Sequence, residues 1–343
     1  MGKRPVSLAA GTLLIVCALI DLTPSRSGPL AARLLVSPEE DVKEFRVAPS
    51  PERQARGRYI VEGPAHCFHC HSEAEFKDNL GQPKPGTKGA GHIVKDESFN
   101  GVPFPDGLAH PNITPDKDTG AGTWTDAQFE RAIRHGIGHD GRELSDFMPY
   151  AFFRSMTDED VASVIVYLRS LPAVRNPLPK RNLPFPVKVD LHPEMEPQLP
   201  ADASEQVKHG WYLVRLAGCN DCHTPADEKG KAITAMMFGG GFRFTGPWGD
   251  VVSPNITTDP SGIGHYDAAM FIKTIRTGHA SGGVRDLNPL MPFSYFRNMT
   301  DDDLKAIFAY LQTVKPVRHH VDNSEPPVYC PLCRQKHGFG DKN

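Results

Sequence analysis

The sequence predicts an all-α protein: two tandem helical domains with long loops, joined by a Pro-rich linker. Two observations lead there. The chain repeats itself at a domain-sized period, and each copy holds three segments with helical start signals and helical apolar spacing. No segment shows a convincing strand alternation to compete with them.

The repeat is direct. "GRYIVEGPAHCFHCH" aligns with "GWYLVRLAGCNDCH", placing Tyr59 with Tyr212, Val61 with Val214 and His71 with His223. "HPNITPD" pairs with "SPNITTD", and "FMPYAFFRSMTDEDVASVIVYLRSLP" pairs with "LMPFSYFRNMTDDDLKAIFAYLQTVKP". The spacing from Asn112 to Met148 equals that from Asn255 to Met291, whereas the first copy carries an insertion around residues 77–100. The expected domains are therefore 46–174 and 202–318. Between them residues 175–201 read as a semi-rigid linker, with residues 1–45 and a tail over 319–343 on either side.

In each copy the first helix runs into the CxxCH stretch. The second follows an acidic residue, Asp126 or Asp267, and ends at a glycine. The third opens at Thr157 or Thr300, natural N-caps with Asp160 and Asp303 at the third helical position. Val161, Val164, Ile165 and Leu168, then Leu304, Ile307, Phe308 and Leu311, form its apolar face. The acidic runs after the caps are helix-start charges, with no sign of acid–base machinery.

With 343 residues, 39% apolar, there is room for two or three cores; a net charge of −3 argues against a nucleic-acid partner. At the N-terminus Lys3 and Arg4 precede an apolar run from Val6 to Ile20 that stops at Asp21. The run is short for a membrane span and suits a signal peptide, with an uncleaved N-terminal anchor left open. Either one sends the remainder out of the cytoplasm: periplasmic, secreted, or held at the inner membrane by an N-terminal helix. Cys17, inside the run, reads as apolar filling.

The other six of the seven cysteines form CxxC pairs: Cys67/Cys70, Cys219/Cys222 and Cys330/Cys333. The first two pairs are each followed by histidine, His71 and His223. Two thiols three positions apart can each add to a vinyl group of one haem while the adjacent imidazole faces the iron; C-x-x-C-H is the attachment signature of haem c. This composition would yield roughly 0.006 such matches by chance, so two at equivalent places in a repeat point to two covalent haems. Zinc would want the pairs some 15–20 residues apart, and a thioredoxin-like motif would want a βαβ setting. His66 and His69 flank the first motif and read as exposed.

A haem held by histidine on one face takes a ligand, or leaves a vacancy, on the other. Met148 and Met291 occupy equivalent positions, each followed by Pro, and a thioether favours ferrous iron. Met156 and Met299 are also paired, but as residues before an N-cap they are explained by packing on Val161 and Leu304. His135, His139, His265 and His279 remain alternative ligands. Asn112 and Asn255 of the paired "PNIT" stretches read as turn residues, with a haem propionate as the other partner considered.

The helix before CxxCH, the Met-Pro loop and the closing "YLRSL" or "YLQTV" helix resemble class I cytochrome c. That resemblance implies a crossing of the first and last helices, with Tyr167 and Tyr310 packed near Gly57 and Gly210. The fuller pattern "SPNITTD…GIGHYD…TIRTG…MPFSYF…MTDDDLKAIFAYL" resembles the cytochrome c subunits of membrane-bound alcohol and gluconate dehydrogenases, which usually hold three haem domains where this chain has room for two.

The expected function is electron transfer through two six-coordinate haems, with no catalytic residues. By the resemblance the donor is a dehydrogenase, and the acceptor a quinone, another cytochrome or a terminal oxidase. The alternative is a dihaem redox enzyme, like a peroxidase or a thiosulfate dehydrogenase. Such an enzyme needs an opening iron or a cysteine ligand, and neither repeat holds an unassigned cysteine. The tail "YCPLCRQKHG" has Arg334 where a ligand histidine would stand and too little chain after it for a third domain. A Cys330–Cys333 disulfide, a metal role with His337, or free thiols are the readings open to it.

Overall fold

Ser50 accepts a hydrogen bond from the Arg53 N–H at 3.2 Å, and Pro51 fills the first helical position, so α1 (Pro51–Val61) starts with its leading donors satisfied. The computed structural model describes residues 45–75, 80–99, 101–104, 107–179, 189–246, 248–280, 285–321, 328–329 and 336–337. The proposed signal or anchor segment lies outside them, as do Cys330 and Cys333. After α1 come a single turn at the first cysteine pair, α2 (Cys67–Cys70), then α3 (Asp126–His135), a second single turn α4 (Tyr150–Phe153), and α5 (Asp158–Arg169). The second copy repeats the series as α6 (Glu205–Ala217), α7 (Cys219–Cys222), α8 (Ala268–Thr277), α9 (Phe293–Phe296) and α10 (Asp301–Leu311).

The caps are local and nearly identical in the two copies. Thr157 and Thr300 each accept from the N–H three residues on, at 3.1 Å, and three acidic residues follow in the first turn, where the helix dipole favours them. Asp267 caps α8 through the Met270 N–H. In α3 the equivalent position is Thr125, which forms a reciprocal capping box with Gln128, and the expected Asp126 lies one position inside the helix.

α1 packs on α5 and α6 on α10 through glycines. A Cβ on Gly57 would sit 1.9 Å from the Ser163 carbonyl oxygen and 2.8 Å from Tyr167 Cβ; on Gly210 it would sit 1.9 Å from the Ala306 carbonyl and 2.9 Å from Tyr310 Cβ. The helix axes can approach this closely only with hydrogen at that position.

The all-α expectation is corrected. Short antiparallel strands run through both copies: β1 (Ala74–Glu75) with β2 (Gln82–Pro83), and β3 (His92–Ile93) with β6 (Ala109–His110). β4 (Ser98–Phe99) pairs with β5 (Val102–Pro103) on one side and with β7 (Arg243–Gly246) on the other, and β7 continues to β8 (Gly249–Val252). β9 (His279–Ala280) pairs with β10 (Arg285–Asp286), and β11 (Val328–Tyr329) with β12 (Lys336–His337). The sheet β5-β4-β7-β8 takes two strands from each copy.

The expectation of two plainly tandem domains falls with it, since the described residues belong to one unit, Val42–Asn343, with shared cores. Leu216 and Tyr295 of the second copy are buried in the core around α1 and α5, and Tyr59 of the first packs against the core around α6 and α10. Gln82 donates to Ser294 Oγ and Asn298 to the Glu62 carbonyl, each at 2.8 Å. The physical reason is the insertion. Of its strands β2 and β3 pair within the first copy, whereas β4 has a second edge that is satisfied by β7 of the other copy, since an unpaired edge is costly.

Candidate haem-attachment sites

The first site is set by how α1 stops. The chain leaves Val61 and enters α2 through His66 in the left-handed region, φ 33°, which turns the cysteines back under the helix. The His71 N–H closes the turn on the Cys67 carbonyl at 2.9 Å. His71 Nδ1 lies 2.8 Å from the Pro111 carbonyl oxygen. A carbonyl can only accept, so Nδ1 carries the proton and Nε2 is left with its lone pair, the form an iron ligand needs. Burial lowers the His71 pKa, which the Pro111 bond partly opposes and His92 reinforces, so the ring stays neutral.

Cys67 and Cys70 are both pushed up to about 12, chiefly by burial. They are protonated thiols, poor as redox nucleophiles. Among the described residues no group of three His, Cys, Asp or Glu side chains could hold a metal ion on its own. The cysteines and His71 open instead on a cavity of about 980 Å³ that also meets Trp124, Met148 and Phe153. A wide, largely apolar hollow with two thiols and a prepared imidazole at its rim fits a haem bound by thioethers.

The second site repeats the geometry. The His223 N–H bonds the Cys219 carbonyl at 3.0 Å, and His223 Nδ1 lies 2.8 Å from the Pro254 carbonyl. Burial again lowers the histidine and pushes Cys219 up to about 12. Cys222 has exposed surface, yet burial, then Asp221, Cys219 and Cys70 of the other motif, raise its thiol. The exposure and the burial agree if the thiol faces a hollow walled by protein.

A glycine supports each histidine, and sequence reasoning missed both. The N–H groups of Gly91 and Gly240 bond the His71 and His223 carbonyls at 2.9 and 2.7 Å, with φ 73° and 70°. A Cβ would lie 2.3 Å from the His110 carbonyl oxygen in one case and 2.4 Å from the Pro254 carbonyl carbon in the other. Gly91 stands 20 residues before Pro111 and Gly240 14 before Pro254, so no common spacing announced them.

Met148 and Met291 are half-buried against the first and second cores. Met156, 4% exposed, also reaches the first cavity while packing in the core; Met299 is 1% exposed. His135, His265 and His279 are exposed, and His279 is taken by Asp286. His139 lines the first cavity, stacked on Trp124 at 4.6 Å.

His66 and His69, expected in solvent, are half-buried instead. His66 meets Phe296 at 5.2 Å, and His69 meets Tyr295 edge-on at 5.9 Å, because α9 of the second copy covers α2. Asn112 is engaged entirely by protein: its oxygen accepts from the Thr114 N–H and Oγ, and its amide donates to Thr119 Oγ and the Val174 carbonyl. Asn255 repeats this with Thr257, Ser261 and the Val317 carbonyl. Both tie the loop behind the histidine to the chain leaving the last helix, leaving no amide hydrogen for a propionate.

Two cysteines at a cavity rim, backed by a histidine held in its iron-binding tautomer, are the arrangement that covalent attachment of a haem requires. Residues 54–172 match the cytochrome c family. The chain is 35% identical to the fructose dehydrogenase cytochrome subunit of Gluconobacter japonicus, over 76% of this chain and 52% of that protein. It is 34% identical to the cytochrome c subunit of the quinone alcohol dehydrogenase of Gluconacetobacter polyoxogenes, over 60% and 47%. A diheme cytochrome c-type protein of Cereibacter sphaeroides is 29% identical over 60% of this chain and 71% of its own length. The chain spans about half the length of the dehydrogenase subunits it matches.

Proposed function

We propose that the chain carries two covalent haems and passes single electrons from a dehydrogenase toward the respiratory chain, itself catalysing no reaction on a substrate. The observation that carries this is the duplicated hydrogen bond from the histidine Nδ1 to a proline carbonyl, 2.8 Å in both copies, which readies both imidazoles for iron. Cys67 and Cys70, then Cys219 and Cys222, would attach the groups, and His71 with Met148, then His223 with Met291, would ligate the iron. Haem c supplies reversible one-electron exchange between ferric and ferrous iron.

The remainder of the task falls to the protein. Pro111 and Pro254 fix the rings, buried surroundings keep both histidines unprotonated, and Met148 and Met291, half-buried against the two cores, would help to exclude water from the groups. The likeness to dehydrogenase cytochrome subunits supports a dehydrogenase as donor, with a quinone, cytochrome or oxidase as acceptor. The apolar run after Lys3 and Arg4 supports a periplasmic position, with or without an N-terminal anchor. Among the described residues no helix is long and apolar enough to cross a membrane.

Haem stoichiometry by absorbance tests the reading, with two per chain expected. Carbon monoxide added to the reduced protein tests the absence of an open iron. Slow or no binding fits a relay, whereas rapid binding at one haem would favour a dihaem redox enzyme.

A further inference from the structure

We propose that Tyr295, carried by the second copy, tunes the reduction potential of the first haem from across the seam. This rests on the reading of Cys67 and Cys70 as a haem-attachment pair.

Tyr295 is 1% exposed and its hydroxyl has no hydrogen-bond partner. Its ring lies edge-on to His69 at 5.9 Å, with 87° between planes, and is tilted against His66 at 6.5 Å. It belongs to the core built around α1 and α5, although its chain neighbours belong to the other copy. Burial raises the hydroxyl pKa most, followed by Cys70, Glu62 and Cys67, so both sulfurs of the first motif lie within its electrostatic reach.

The repeat supplies an internal control. Tyr295 aligns with Phe152, which is also buried, at 7% exposure. The fold accepts a phenyl ring at this position, so packing alone does not require the oxygen. A buried hydroxyl without a partner is costly, and such a group calls for a reason beyond packing. Its dipole, in surroundings of low dielectric, acts on a neighbouring site whose charge changes by one electron. With its hydrogen toward the cysteine pair, the hydroxyl favours the reduced state of whatever that pair holds. The ring contacts of Tyr295 are with His66 and His69, neither of them an assigned iron ligand; it acts through the field it places on the attachment turn and is a tuning residue.

The test is Tyr295→Phe in the full-length holoprotein, read by optical redox titration. One of the two one-electron waves should move to lower potential, by a three- to tenfold change in the reduced-to-oxidised ratio at fixed potential; tenfold corresponds to 59 mV for one electron. The other wave should stay in place, and the melting temperature should be unchanged or higher. Phe152→Tyr is the second variant, and should raise the wave that Tyr295→Phe leaves alone. Two fixed waves, or two waves moving together, would overturn the inference. Mass spectrometry of the peptide containing Cys67 and Cys70 separates the failures. A haem adduct with unmoved waves sinks only the role of Tyr295, whereas a bare peptide removes the haem reading and this inference together.

Discussion

Tyr59, on α1 of the first copy, donates its hydroxyl to Asp303, on α10 of the second, and Tyr212 on α6 returns the contact to Asp160 on α5. The repeat equates Tyr59 with Tyr212 and Asp160 with Asp303, so this part of the seam is isologous: each copy presents the same tyrosine and aspartate to the other. Each carboxylate also meets a base from its own copy. Arg56 grips Asp160 with two bonds of 2.8 and 3.0 Å, and His209 Nε2 lies 2.6 Å from Asp303.

Tyr212→Phe should therefore cost about 1.5–3 kcal/mol, the usual range for a hydrogen bond to a charged group. Tyr59→Phe should cost a similar amount. Urea unfolding followed by circular dichroism measures both, and an unchanged midpoint for either would show that its contact does not hold the seam.

Acid should loosen the same place. Burial pushes the Asp160 carboxyl up, but the hydrogen bonds from Arg56 and Tyr212 and the Arg56 charge outweigh it, and the folded pKa lies below the usual value. A depressed carboxylate pKa gives stability that is fully present above the unfolded value, about 3.9, and is lost as pH falls through the folded value. Between pH 7 and 5 this contribution is expected to be flat, and to decline below about 4. Asp160→Asn should remove that decline and lower stability at neutral pH; parallel acid profiles for variant and parent would contradict it.

Gly57→Ala and Gly210→Ala should each be destabilising by at least the 1–3 kcal/mol typical of overpacking, because the new carbon lands on a backbone carbonyl that cannot swing aside. Thermal melts should show losses of the same order in the two variants, since the two crossings are built alike.

Met148→Ala and Met291→Ala should each remove half of the absorption band of thioether-ligated ferric haem, and the double variant all of it. Met156→Ala and Met299→Ala should keep the band while losing about 2–5 kcal/mol of stability, as deletions of buried methionines do. A band that survives Met148→Ala but not His139→Ala would reassign the ligand at the first haem.

Asn112→Ala should leave the Thr114 N–H without its partner and the Val174 carbonyl with only the longer bond from Thr114 Oγ, at a cost of about 1–3 kcal/mol. Hydrogen exchange should quicken first at Thr114. Protection there equal to the parent's would show that water replaces the amide.

What could be read from the sequence was whatever the physics keeps local. Thr157 and Thr300 announce their helices because a hydroxyl and an N–H three residues on suffice to cap one. The CxxCH turns announce themselves because one group must meet three neighbours in sequence. β4 and β7 could not be read this way: two to four residues carry too little alternation, and their partner lies in the other copy. Nor could the burial of His66 and His69, which is imposed by Tyr295 and Phe296 from far along the chain. Tyr59 and Tyr212 did align, but an aromatic on a helix gives no hint that its hydroxyl crosses to the opposite copy.

The connection between the copies touches both: Tyr150 Oη accepts from the Asp190 N–H at 3.1 Å, and the Pro197 carbonyl accepts from Trp211 Nε1 at 2.7 Å. Such a tether changes what the seam must supply. Two separate chains would have to surrender free translation and tumbling to meet, while covalently joined halves see each other at an effective concentration on the order of millimolar. Four tyrosine and aspartate side chains, a strip of short strands and the few apolar residues shared between the cores can then keep the two CxxCH turns in register, with a smaller patch than independent subunits need.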